Sequence, residues 1–400
     1  RQFENIMAEH SYFRLQLIIF ALVSAAFTNI YITQPVLPVL QREFSVDMVL
    51  VSFTVSAVIF GIALSNLPFG FLADRWSIRP IILTGGVLVA ISGLVCAVTE
   101  NFWVLIGARF LQGIFIPSLT TCLAAYLAKT VPVMRLNVVM GSYVSATVLG
   151  GLSSRLLGGW IHPSLHWRYA FVSASILTLL ATFIAALGLP KVSAKSEKQH
   201  KPIGFWVLLK RWEFLRIYFC AAGSFAIFSS VFNYLPYRLG GYPFGFSTQL
   251  TTLLYLVYVV GIFLGPTAGR ISNRFGSGNT LLFGSFILGG ALALILLPSI
   301  IAVILGLLGI CTGFFTIHAA AVGSLNRKLR SGQGRANAFY VLFYYIGGWL
   351  GITGAGFAYE KGGWNTLIAI CMLLLIIPLG AGIGERKSRH RRISPSTRHS

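Results

Sequence analysis

The sequence predicts an all-α membrane protein with 12 transmembrane helices in two pseudo-symmetric six-helix bundles, and three observations carry that prediction. The first is composition. Of 400 residues, 56% are hydrophobic and 10% charged, with a mean hydropathy of +0.78. A water-soluble fold could not bury so much apolar surface, so the solvent for most of the chain is lipid. The second is run length. A bilayer core about 30 Å thick takes roughly 20 apolar residues per helical crossing, and the sequence holds 12 such runs. Barrel strands would alternate in shorter segments, so the runs read as helices. The third is that the second half repeats the first.

The first six runs lie near 15–40, 48–72, 80–98, 102–128, 136–161 and 168–189. The first is too long for the apolar core of a secretory signal and no small-residue cleavage site follows it, so it is expected to stay as a span. Between the second and third, "GFLADRWSIR" (70–79) holds a single acid, Asp74, flanked by Arg75 and Arg79. The fourth contains "RFLQG" (109–113), which puts Arg109 inside a span. The fifth contains "GGLSSRLLGG" (150–159) with Arg155, and its small residues four apart, Gly150, Ser154 and Gly158, offer a face for close helix contact.

A Lys-rich polar stretch from Lys191 reads as a cytoplasmic linker. The remaining runs follow near 214–236, 248–269, 280–298, 300–325, 336–358 and 365–384. The domain scheme is therefore a bundle over 1–190, a linker over 191–213, a second bundle over 214–384 and a basic cytoplasmic tail over 385–400.

The repeat is direct. At a shift of 195, Gly70, Ala73, Arg75, Ser77 and Arg79 fall on Gly265, Ala268, Arg270, Ser272 and Arg274; at 197, "GGLSSRLLGG" falls on "GGWLGITGAG" (347–356) and Trp167 on Trp364. The partner of Arg155 is then Ile352, so helix building alone does not require the cation. Two related six-helix halves are a transporter layout. With "GFLADRWSIRP" after the second helix, "RFLQG" in the fourth and a Gly-rich fifth helix, the chain resembles the major facilitator superfamily, in particular its twelve-helix drug and metabolite efflux branch. The resemblance implies alternating access about a site between the halves. It also implies a conformational gate at Gly70, Asp74, Arg75 and Arg79: Gly70 for close approach of the helix end, Asp74 meeting a helix N-terminus of the other half. The alternative is that Arg75 and Arg79 are topology signals that Asp74 offsets. Gly269 replaces the acid in the second copy, so one working latch is expected.

Net charge is +21, but its placement is more informative. With the N-terminus in the cytoplasm, 25 of the 31 Lys and Arg fall inside, four outside (Arg42, Arg168, Arg238, Lys361) and two within spans (Arg109, Arg155). That asymmetry puts both termini in the cytoplasm, and the protein is expected in the inner, or plasma, membrane. The tail "ERKSRHRR" is expected to rest on the anionic headgroups of the lipid bilayer. No aromatic-interleaved surface accompanies the charge, which argues against nucleic acid. The five cysteines are scattered singly, without metal-ligand spacing, as small buried hydrophobes. In "HPSLH" (162–166), Pro163 is expected to break the helix that would align the two histidines on a metal. No Walker loop or G-x-S-x-G elbow is found, which argues against an ATP-driven pump or hydrolase, and an intramembrane enzyme lacks its constellation. No cofactor is expected, and the chain is expected to work as a monomer.

Arg155 lies six residues before Ile161 and Arg109 seven after Phe102, so both sit roughly 9–10 Å below the outer surface. All ten acids fall at ends, loops or tails, leaving Glu43 and Glu100 as the nearest by depth. Cations at membrane depth usually face a cavity and serve it. Arg155, helped by Arg109, is expected to hold an anionic substrate group in its planar fork; snorkelling of Arg155 to the surface, and a structural or proton-linked role for Arg109, stay open. The antiporter branch carries a Gly-Pro step where this chain has Ser154-Arg155, which turns the expectation from cationic drugs to anionic or polar cargo.

His318 is the one histidine well inside a span and the candidate for proton coupling, against a simple hydrogen bond to a neighbouring carbonyl. Asn29, Asn233 and Tyr344 complete the expected substrate contacts, with Tyr31, Tyr234 and Tyr345 as lesser candidates. The expected function is proton-coupled efflux of a small polar or anionic metabolite. Drug or sugar efflux and a non-transporting receptor on the same scaffold are the competing readings.

Overall fold

The computed structural model describes residues 2–190, 205–329 and 333–393. Its helices are α1 (Gln2–Thr28), α2 (Leu37–Phe44), α3 (Met48–Arg75), α4 (Ile78–Val98), α5 (Phe102–Leu119), α6 (Thr121–Thr130), α7 (Val133–Ser164), α8 (Arg168–Gly188), α9 (Phe205–Lys210), α10 (Trp212–Gly240), α11 (Thr248–Leu253), α12 (Val260–Phe275), α13 (Ser277–Leu294), α14 (Ile300–Arg327), α15 (Gln333–Leu374) and α16 (Ile376–Ile393), with 3-10 turns at Gln34–Val36 and Leu254–Val259. No strand occurs among the described residues. Eight of their helices are long and apolar enough to cross a bilayer, nine if the bent stretch from Thr248 to Phe275 counts as one. One of the eight, Gly334–Ser388, covers the last two predicted spans: α15 turns at Gly362 and Gly363, the latter at φ 67°, where a residue without Cβ is favoured. α1 and α7 supply the other predicted spans, so all 12 are helical.

Several boundaries differ from the uniform rods that hydropathy suggests. The run 15–40 is not one helix: α1 stops at Thr28 and the chain turns through a 3-10 step before α2. Pro35 explains it, because it has no N–H to donate and its ring would crowd the carbonyl of Tyr31. The fourth span bends where α5 gives way to α6 at Thr120, after Pro117. Pro163 does not break the fifth, since α7 runs on to Ser164; so near the end only one ladder bond is lost, and Leu165 N restores the pattern by donating to Ile161 O at 2.8 Å. Side-chain caps mark the starts of α3 and α5: Asp47 Oδ1 accepts from Leu50 N at 2.7 Å, and Asn101 Oδ1 from Trp103 N and Val104 N at 2.9 and 3.2 Å.

The chain divides by packing into two compact units, one of 1–197 with 235–259 and one of 198–234 with 260–400. In the first, α1 packs on α7 and α8, α4 on α5 and α8, and α3 on α5, with α11 and the 254–259 turn against α7. Small residues set the closest approaches: a Cβ on Gly150 would stand 2.5 Å from Ser24 O. In the second unit α13 packs on α14 and α16, and α12 on α14.

Candidate functional site

The break in the first span exposes backbone that a helix would have satisfied internally. At membrane depth each such group needs a partner from the protein, and two neighbouring helices supply them. Arg109, from α5, is fully buried. Its Nη1 donates to Asn29 O and to Gln112 Oε1, both at 2.6 Å, its Nη2 to Ile30 O at 2.5 Å and its Nε to Thr54 O at 2.7 Å. The carbonyl end of a helix carries partial negative charge, so the guanidinium caps α1 without any carboxylate. Asn29 belongs to the same network: its Nδ2 donates to Ala25 O and Thr178 Oγ1, each at 2.8 Å.

Arg155, from α7, meets the far side of the break. It is 2% exposed, so it does not reach out to the surface. Its Nε donates to Gln34 Oε1 at 2.7 Å and its Nη1 to Gly151 O at 2.6 Å. Next to it Ser154 Oγ accepts from Tyr31 N at 2.9 Å, so the small-residue face of α7 also closes an orphan donor. Aromatic rings wrap the cation. Cζ stands 3.9 Å from the Tyr31 ring centroid, 4.2 Å from that of Tyr258 and 5.6 Å from that of Tyr255, within cation–π range. No carboxylate pairs with it among the described residues. Arg109 and Arg155 are thus brought to one feature, the unwound stretch after α1, but Arg109 is engaged by four acceptors and Arg155 by Gln34, Gly151 and the Tyr31 hydroxyl.

The other expected contacts lie in the second unit. His318 (α14) shares a 2.9 Å hydrogen bond through Nδ1 with the Tyr340 hydroxyl of α15, so its partner is a side chain and not the carbonyl considered from sequence. Tyr344 stacks on Phe225 at 3.7 Å and lies 5.5 Å from the His318 ring, with Tyr345 edge-on to it at 5.1 Å. Asn233 is buried in α10, and the neighbouring Tyr234 hydroxyl donates to Ile352 O at 2.9 Å.

At the ends with the basic loops, Asp74 pairs with Lys129 at the end of α6, 2.5 Å apart and largely exposed. Arg79 donates through Nε and Nη2 to Leu189 O at 3.2 and 2.5 Å, while Arg75 is exposed. A Cβ on Gly70 would meet nothing within 4 Å among the described residues. The second copy of the loop is tied in the same way. Arg327, ending α14, donates to Asn273 Oδ1 at 3.0 Å and to the hydroxyls of Ser272 and Ser277.

Two carboxylates matter more than the sequence suggested. Glu385, read as the first residue of the tail, lies inside α16 and is 6% exposed. It accepts from Arg216 Nε at 2.6 Å, Lys328 Nζ at 2.5 Å and Ser324 Oγ at 2.5 Å. The only sequence signal was that apolar periodicity ends one residue earlier. Glu43, in the last turn of α2, accepts from Trp167 Nε1 at 2.5 Å and Arg168 Nη1 at 2.6 Å. Burial raises its pKa, and the bonds from Trp167 and Arg168 with the Arg168 charge outweigh that, leaving it low.

Known proteins share this architecture. A family model described as Major Facilitator Superfamily matches residues 19–330. An uncharacterized MFS-type transporter of Bacillus subtilis, YybF, is 27% identical over 90% of this chain and 91% of its own. The inner membrane transport protein YnfM of Escherichia coli is 27% identical over 95% and 92%, and a gentisate transporter of Corynebacterium glutamicum 26% over 64% and 60%. A bacterial homologue of the human lysosomal transporter Spinster, solved inward-facing and occupied, superposes with a TM-score of 0.75 at 14% identity, over 96% of this chain and 98% of that one.

Proposed function

The chain belongs to the Major Facilitator Superfamily, and from that premise we propose that it exports a small polar or anionic organic metabolite by alternating access, coupled to protons. Membrane transport is the family's work; cargo, direction and coupling are our reading. The observation that carries it is Arg155: a permanent cation, almost wholly buried, with no carboxylate partner among the described residues. A buried charge without a counter-ion is costly, and a transported anion would supply one. Arg109 adds positive potential behind it, with Asn29 holding the break in place, and Asn233 and Tyr344 complete the proposed contacts. The gentisate transporter among the relatives carries an organic acid, which agrees with this cargo class.

In this reading His318, bonded to Tyr340, moves the coupling proton. Asp74 with Gly70, Arg75 and Arg79 forms the gate; its exposed pair with Lys129 is worth about 0–1 kcal/mol and is given up easily in each cycle. Both termini face the cytoplasm of a cell whose inner membrane the chain crosses as two bundles, 1–190 and 214–384, joined by the linker 191–213.

The test is a thermal-shift screen of wild type and Arg155→Ala against anionic, neutral and cationic metabolites, followed by proteoliposome flux of the best ligand. A bound ligand at a hundredfold excess over Kd stabilises by about 2.7 kcal/mol. Anions are expected to stabilise the wild type only, and their flux to respond to an imposed pH gradient in wild type but not in His318→Ala. Equal responses of wild type and Arg155→Ala would remove the anionic cargo, and binding without flux would make the chain a receptor.

A further inference from the structure

Resting on the reading of Arg155 as an anion site, we infer that the substrate carries one carboxylate and no second negative charge, on a planar or apolar body. Donor count comes first. A guanidinium has five N–H donors in one plane. Nε is held by Gln34 and one Nη1 hydrogen by Gly151, so the side-on edge that pairs Nε with Nη2 is closed. With a further hydrogen given to the Tyr31 hydroxyl, which accepts from this side chain, two N–H donors remain, both carried by Nη1 and Nη2. Two parallel N–H groups are what one carboxylate takes in bidentate pairing.

The surroundings then exclude a second charge. Tyr31, Tyr255 and Tyr258 form the walls, and an aromatic face is the negative side of the ring quadrupole. It attracts the cation and repels an anion. The other cation at the break, Arg109, is already engaged by four acceptors of the protein and offers no open edge of its own. A second carboxylate, or the second charge of a phosphate ester, would be buried against those rings without a counter-ion. The same rings suit an aromatic or aliphatic body, which gains by leaving water.

The experiment is a direct binding titration of purified full-length protein with benzoate, hexanoate, phthalate, phenyl phosphate and inorganic phosphate, repeated on Arg155→Lys and Tyr258→Leu. The expected result is saturable binding of the monocarboxylates to wild type, at least tenfold tighter than of phthalate, phenyl phosphate or inorganic phosphate. Arg155→Lys, which keeps the charge but loses the fork, is expected to weaken the monocarboxylates at least tenfold. Tyr258→Leu is expected to narrow the gap between mono- and dianions. Dianions binding as tightly as monocarboxylates, in an Arg155-dependent way, would overturn this inference and leave the anion reading standing. If no anion binds, both fall; if all bind wild type and Arg155→Lys alike, the fork does not hold them and this inference falls. The wild-type panel alone decides between the charge classes, so a variant that does not fold leaves the test intact.

Discussion

At the scale of single residues, the same side chain type does two different jobs within one unwound stretch. Arg109 is a cap that happens to be charged, and Arg155 is a charge with a partly open edge. Both were visible in the sequence as cations at membrane depth. What separated them was not, because backbone carbonyls are what Arg109 binds and every residue has one. Glu43 was visible too, but as a depth-matched candidate for the intramembrane cations; it pairs instead with Trp167 and Arg168, whose distance from it in sequence hid the contact. Its depressed pKa gives a pH dependence with a definite sign. The stability it contributes is fully present above the unfolded carboxylate value of about 4.3 and is lost as pH falls through the lower, folded value. The melting temperature of the wild type is therefore expected to fall more steeply than that of Glu43→Gln below about pH 4.3, with the wild type the more stable at pH 7. Parallel curves in a differential scanning fluorimetry series would show that the carboxylate contributes nothing.

At the scale of elements, the repeat explains which helices are broken. Gly150 of α7 meets Ser24 of α1, and its counterpart Gly347 of α15 meets Ala222 of α10, so the close contact was kept in both halves. One turn on, Ser154 serves the break after α1, whereas its counterpart Gly351 packs on Ala226 in the uninterrupted α10. The cation and the hydroxyl thus accompany a broken helix, and Ile352 and Gly351 an intact one. This asymmetry was half legible: alignment exposed Arg155 as unmatched, but the run 15–40 carries no charge and only Pro35 and Pro38 hinted that it was not a rod. The contact itself is testable. Gly150→Ala would place Cβ 2.6 Å from that of Phe27 and against the Ser24 carbonyl, and is expected to cost about 1–3 kcal/mol. Gly141→Ala, on the same helix with nothing within 4 Å of its Cβ, is expected to gain about 0.5–1 kcal/mol in helix propensity. Thermal denaturation of the two in one detergent decides it; similar melting temperatures would mean that α1 and α7 do not depend on that approach.

At the scale of the whole molecule, 12 spans were legible in hydropathy and the family in the resemblance carried by "GFLADRWSIRP", "RFLQG" and the Gly-rich fifth helix, whereas buried Glu385 was not, since burial of an acid at a helix end depends on three helices converging. The orientation proposed from the basic loops is easy to check, because all five cysteines are buried and give little background to a maleimide. A single Glu197→Cys is expected to label only from the cytoplasmic side and Lys361→Cys only from the other; the reverse pattern would invert the topology. The cap on α1 also orders the making of the protein. Asn29 precedes Arg109 by 80 residues, which at roughly 5–20 residues per second takes about 4–16 s to synthesise. For that interval the nascent first helix ends in carbonyls whose permanent partner does not yet exist, so water, lipid headgroups or the insertion machinery must hold them. The first span is the earliest to be made and among the last in its half to be finished.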